Sequence, residues 1–128
     1  MNLVLDENNY NINNIFFYEP VKNTVMDDSK FIRIIYSDEF VTLNGLYLKI
    51  NMNDKNTPNY LEQVERDILS KFTLNKNIVN KNKSIKIKDQ LLFLLGKNNL
   101  DSKFLLKISG IWETNLTIGL TYKFISIN

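Results

Sequence analysis

The chain has no histidine and no cysteine. Glycine (4), proline (2) and tryptophan (1) are scarce among its 128 residues. Each shortage excludes something. Without cysteine there is no disulfide, no thiolate metal site and no cysteine nucleophile. Without histidine the commonest general base and the commonest transition-metal ligand are gone. Zinc enzymes, Ser-His-Asp hydrolases and Cys-His proteases are therefore out. Carboxylates, lysines and hydroxyls remain, and these suit magnesium or acid–base work. The glycines stand far apart and GxxxxGK does not occur, so no phosphate loop is present. The acidic pairs Asp27-Asp28 and Asp38-Glu39 read as turn chemistry. A two-metal centre needs carboxylates converging from separate elements. The expectation is a non-enzyme with no cofactor and no metal.

Long apolar runs are also missing. None reaches the roughly 18 residues of a membrane-spanning helix, so no membrane partner is expected. Residues 1–14 are polar and asparagine-rich. They lack the basic n-region and apolar core of a signal peptide. With the absence of cysteine, this favours an intracellular, non-secreted protein.

What is present suffices for one domain, 1–128, with its own core: 44% hydrophobic and 12% aromatic residues. Residues 1–14 form a flexible or edge segment of it. Asparagine (20) and lysine (14) dwarf arginine (2), the bias of an AT-rich coding sequence. Charge is unevenly spread. Residues 1–58 sum to −3 and residues 59–128 to +5, with five lysines and no acid between Lys76 and Lys88. Such asymmetry hints at a polyanion partner.

The chain is organised around its end. Residues 104–112 and 118–127 alternate polar and apolar side chains around a polar turn, which predicts a closing β-hairpin. Ile15–Tyr18 is a compact aromatic strand ended by Pro20. Residues 31–37, FIRIIYS, form a strand with Ile32, Ile34 and Tyr36 inward. Residues 40–52 are one strand bent at Asn44-Gly45, preferred over a hairpin there because each arm would be very short. Thr57 as cap and Pro58 in the first turn open an amphipathic helix, about 60–72, with Leu61, Val64, Ile68 and Phe72 on its apolar side. Glu62, Glu65, Arg66 and Lys71 belong to its wet side. Residues 73–84 read as loop, and Ile85–Lys88 as a short strand with lysines outward. Residues 89–96 fit either a buried strand or a short helix.

Five to seven strands and one central helix give a β-rich α+β domain, a small antiparallel barrel. A helix after the third strand matches the order of an OB-fold. If the apolar sets point inward, Phe31, Arg33, Tyr47, Lys49, Lys107 and Lys123 share a water-facing surface, expected to be an open concavity. Rings beside cations there suit single-stranded nucleic acid, with phosphates on the cations and bases on the rings. Lys86 and Lys88 would extend the phosphate track. A polar outer face with a few lysines that only solvates the sheet is the plainer alternative. Trp112 shares alternation with Leu106 and Ile108, so it is assigned to the core. Only a bulge at Gly110 would turn it outward.

FYEPVKNTVMDDSKFIRIIYS, VTLNGLYLKI, ISGIWET and GLTYKF together resemble small proteins of large double-stranded DNA viruses of eukaryotes, the mimivirus-like and phycodnavirus-like group. Within that group the resemblance is to single-stranded DNA-binding proteins. It implies an OB-fold, no catalysis, no obligatory metal and stoichiometric coating of replication intermediates. One departure is that the chain ends FISIN, without the acidic tail common in replication-type binders. The expected partner is single-stranded nucleic acid, DNA ahead of RNA. A homo-oligomer is a further expected partner, and the alternative is a virion structural or scaffold role through protein contacts at apolar strand edges and IFFY.

Overall fold

The fold is described from a computed structural model at residues 4–25, 28–52, 54–97 and 103–127. In chain order the elements are β1 (Ile15–Phe17), β2 (Val21–Lys22), β3 (Lys30–Ser37), β4 (Thr42–Asn44), β5 (Leu46–Asn51), α1 (Thr57–Asn75), β6 (Asn82–Ser84), α2 (Ile87–Gly96), β7 (Lys103–Glu113) and β8 (Thr117–Ser126). A single 3₁₀ turn, Ile12–Asn14, precedes β1. The architecture is the expected β-rich α+β, barrel-like fold, its sheet curled through half a barrel. No helix among the described residues is long and apolar enough to cross a membrane.

The closing hairpin is the frame. β7 pairs with β8 along one edge. Along its other edge it pairs first with β5, from Lys103 to Ile108, and then with β3, from Gly110 to Glu113. β3 in turn carries β1, β2 and β4. These ladders are antiparallel. Among the named strands the parallel pair is β6 beside β8, Asn82–Ser84 against Thr117–Gly119, which places a strand where a loop was expected.

Asn44-Gly45 is a bend, as expected. β4 lies on β3, and β5 leaves it for β7. Gly45 has φ +94° and donates its N–H to the Ile34 oxygen at 3.0 Å. A Cβ there would stand 3.0 Å from the Ile108 oxygen, so this close crossing needs glycine.

The inward set of β3 is Ile32, Ile34 and Tyr36, as alternation predicts. It joins Leu46, Leu48, Ile50, Phe104, Leu106, Ile108, Ile111, Ile118 and Leu120 from the other strands. Leu61, Val64, Ile68, Leu69 and Phe72 of α1 close the same cluster. The inside of the curl is therefore filled by α1. The helix is longer than its periodicity suggested. Thr57 does not cap it, because its buried hydroxyl donates to the Asn51 oxygen at 3.1 Å and ties α1 to β5.

Two helical residues assigned to the wet side are not there. Lys71 is half-buried and donates to the Ile12 and Ile15 oxygens at 2.9 and 2.6 Å, holding the 3₁₀ turn and β1 against α1. Glu65 is fully buried. One of its oxygens accepts the Lys86 and Ile87 backbone N–H groups, each at 3.0 Å. These are N–H groups that a helix start leaves without an internal partner. The Lys86 side chain supplies no cap of its own. Glu65 therefore caps α2 from α1. This is why the IKIK alternation does not become a strand: its second half is drawn into a second helix, and residues 89–96 take their helical option.

Gly45→Ala forces a side chain into a left-handed backbone facing Ile108, and a loss of about 1–2 kcal/mol is expected in urea unfolding. Gly96→Ala, with open space around it, is expected to stay within about 1 kcal/mol or stabilise. Burial, outweighing the two N–H bonds, pushes the Glu65 carboxyl above its usual range. The folded state then holds a proton that the unfolded state has released. Its contribution is therefore complete below the ordinary carboxylate pKa and is lost as pH rises through the raised folded value. Stability measured across that window should fall with pH, and Glu65→Gln should remove that part of the slope.

Candidate nucleic-acid interface

The strand pairings fix which side chains share the outer face. On β3 these are Phe31, Arg33 and Ile35, opposite in parity to the buried set. Tyr47 and Lys49 alternate outward on β5 between buried leucines and Ile50. Lys103, Leu105 and Lys107 do so on β7, and Thr121, Lys123 and Ile125 on β8.

Pairing converts this parity into rows. Tyr47, Lys107 and Lys123 lie directly across from one another on three strands. Lys49 opposes Leu105, which opposes Ile125. Arg33 opposes Gly110, which opposes Thr121. Six expected residues, Phe31, Arg33, Tyr47, Lys49, Lys107 and Lys123, thus occupy one face. Lys103, across from Asn51, adds a fifth cation that the sequence reading missed by starting the strand one residue late.

No acid takes an outward strand position on these strands. Among the described residues the ion pairs are Arg66–Glu62 and Lys81–Glu113, neither on this face. The Lys107 ammonium lies over the Tyr47 ring, 5.5 Å from its centre. Such a contact is worth about 0.5–1 kcal/mol at an exposed site. Lys107 and Lys123 oppose each other directly, an arrangement of like charges that weakens a sheet unless an anion lies between them. The basic field has a boundary: Asp6, Glu7 and Asp54 line the depression beside Lys49.

The face is not the concavity expected. The concave side of the curl is the apolar one, and α1 fills it. The cations and rings sit on the outside, open to water. Lys86 and Lys88 do not join them. Lys86 precedes α2, and the Lys88 ammonium donates to Asn59 of α1 at 2.8 Å. Both lie in the helical layer. Two more lysines of the lysine-rich stretch are engaged. Lys81 pairs with Glu113, and Lys83 donates to the Ser70 hydroxyl at 2.9 Å.

Trp112 corrects the core assignment. Between Ile108 and Gly110, β7 advances two residues while β8 advances one, leaving Ser109 as the extra residue of a bulge. Parity reverses there. Ile111 turns inward and Trp112 outward, directly opposite Phe31. Each ring lies in the space a glycine leaves open. The Phe31 ring passes 2.7 Å from where a Cβ on Gly110 would stand, and Trp112 covers Gly119. Both rings are half-buried and lie along the sheet surface.

Beside them the β2 segment and the chain after it form a cleft of about 500 Å³. Val21, Lys22, Asn23, Phe31, Trp112 and Thr121 are among its lining. A smaller recess that shares Phe31 and Val21 with it is also lined by Tyr18, Glu19 and Arg33. No group of three or more acidic, cysteine or histidine residues able to hold a metal occurs among the described residues.

Chemically, then, the face offers fixed positive charge, three flat rings and a small apolar cleft, with no paired acid and base among its described residues. Comparison of the chain with protein-family models, curated proteins and solved structures finds no match.

Proposed function

We propose that the protein binds single-stranded nucleic acid, DNA ahead of RNA, on the outer face of its sheet. The one observation that carries this reading is the row Tyr47–Lys107–Lys123, flanked by Arg33, Lys49 and Lys103 without an outward acid among them. The two lysines hold facing positions on β7 and β8, and a phosphate backbone supplies counter-charge to such a row at regular intervals. Rings on the same face suit unpaired bases, which stack for roughly 1–3 kcal/mol each. The resemblance to small proteins of large DNA viruses suggests coating of replication intermediates, without chemistry on the strand. Lys86 and Lys88 are not part of this interface.

A second reading, a virion structural or scaffold component, draws on a different patch. Phe16, Tyr18 and Val21, at 52%, 50% and 57% exposure, form an apolar margin along β1 and β2. Protein contact suits that margin better than phosphate does.

Anisotropy of a labelled oligothymidylate, titrated over a salt series, tests the first reading. The expected log–log slope is roughly 0.7 per cation engaged, about 3.5 if all five take part. Lys107→Gln and Lys123→Gln should each lower it by nearly one cation's share, while Lys88→Gln leaves it unchanged. Absence of binding, or salt-independent binding, ends the proposal. A defined oligomer by light scattering, with no nucleic acid retained, would favour the second reading.

A further inference from the structure

We infer that the cleft between the β2 segment and Trp112 seats one unpaired nucleobase, with the indole as its stacking surface. The inference rests on the nucleic-acid reading and makes it specific. The bulge at Ser109 is the starting point, because without it Trp112 would point into the core. Instead the indole lies over Gly119. That leaves its other side toward the cleft it helps to line.

The cleft has the composition that a flat, π-faced, polar-edged ligand needs. Its walls are Phe31, Trp112 and Val21, and its polar atoms come from Asn23, Thr24 and Thr121, with Lys22 contributing as well. At about 500 Å³ the space is within the range of small-ligand sites and larger than one base requires.

Charge identifies the occupant. Among the described residues the cleft lining holds one lysine and no acid. Along β8, Gly119 under the indole is followed on the same face by Thr121 and then Lys123. At strand spacing, Lys123 is roughly 13 Å from Gly119. Arg33 stands across Gly110 from Thr121. A strand whose phosphates engage Lys107 and Lys123 therefore passes beside the cleft and can turn a base into it. An apolar peptide would fill the same walls but would leave these cations without a counter-charge.

The single tryptophan gives a direct readout. Two 12-mers of equal charge are compared, oligothymidylate and its abasic sugar–phosphate analogue. Each is followed by anisotropy of a dye on the strand and by Trp112 emission. The expected result is that both bind, that only oligothymidylate quenches the emission, and that it binds more tightly. Trp112→Ala should reduce its affinity roughly tenfold towards that of the abasic strand, and Trp112→Phe should restore most of the loss. Lys123→Gln should weaken both strands yet leave the quench at saturation intact.

Binding of oligothymidylate without a change in emission, or equal quenching by the abasic strand, overturns the inference and leaves the basic face standing. Failure of both strands to bind overturns the nucleic-acid reading itself. Emission that changes with protein concentration alone assigns the cleft to a second copy of the chain and overturns the inference as well.

Discussion

At the point where β5 gives up its place beside β7 to β3, the Gly45 N–H reaches the Ile34 oxygen, while Ser109 stands as an extra residue against β8. The two irregularities face each other. A Cβ on Gly45 would lie 3.8 Å from the Ser109 Cα and closer still to the Ile108 oxygen. A strand that changes partners must kink, and glycine permits the positive φ of that kink. A bulge on the neighbouring strand increases the local twist. Together they let one long strand, β7, serve two partners in succession and curl the sheet round α1. The composition of the outer face is a consequence. Below the bulge β7 presents lysines outward, and above it presents Trp112.

The helical layer is tied to this frame by a few polar contacts set in an apolar interface. Lys71 reaches back to the start of β1, Thr57 reaches β5, and Glu65 starts α2. Burying a carboxylate is unfavourable, and two N–H donors offset only part of that. Its second oxygen has no partner among the described residues. The acid is kept where it fixes the position of a helix that propensity alone would leave undecided. Lys86, just before α2, and Lys88 in its first turn then belong to the helical layer and not to the sheet's outer surface.

Much of this was legible from alternation. Ile32, Ile34 and Tyr36 go inward because Arg33 between them prefers water, and a period of two carries that choice through the whole strand. The same period placed Tyr47, Lys49, Lys107 and Lys123 correctly relative to one another. Three things were not legible, each for a physical reason. A bulge shifts parity by one residue without altering composition, so Trp112 still reads as inward when counted from Leu106. IKIK alternates like a strand, and the group that decides its fate, Glu65, lies more than twenty residues away in sequence. The concave side was misassigned because alternation sorts residues into two faces but does not say which face curls inward. That is settled by α1, whose apolar stripe needs cover.

The central claim is that one outer face, and not the lysine-rich helical side, meets the polymer. Amide chemical-shift mapping on the labelled protein with a short oligothymidylate tests it most directly. The account predicts changes grouped at Arg33, Tyr47, Lys49, Lys107 and Lys123, with the helical layer silent, Lys86 and Lys88 included. Changes concentrated on the helical layer, with the outer strands unmoved, would contradict it.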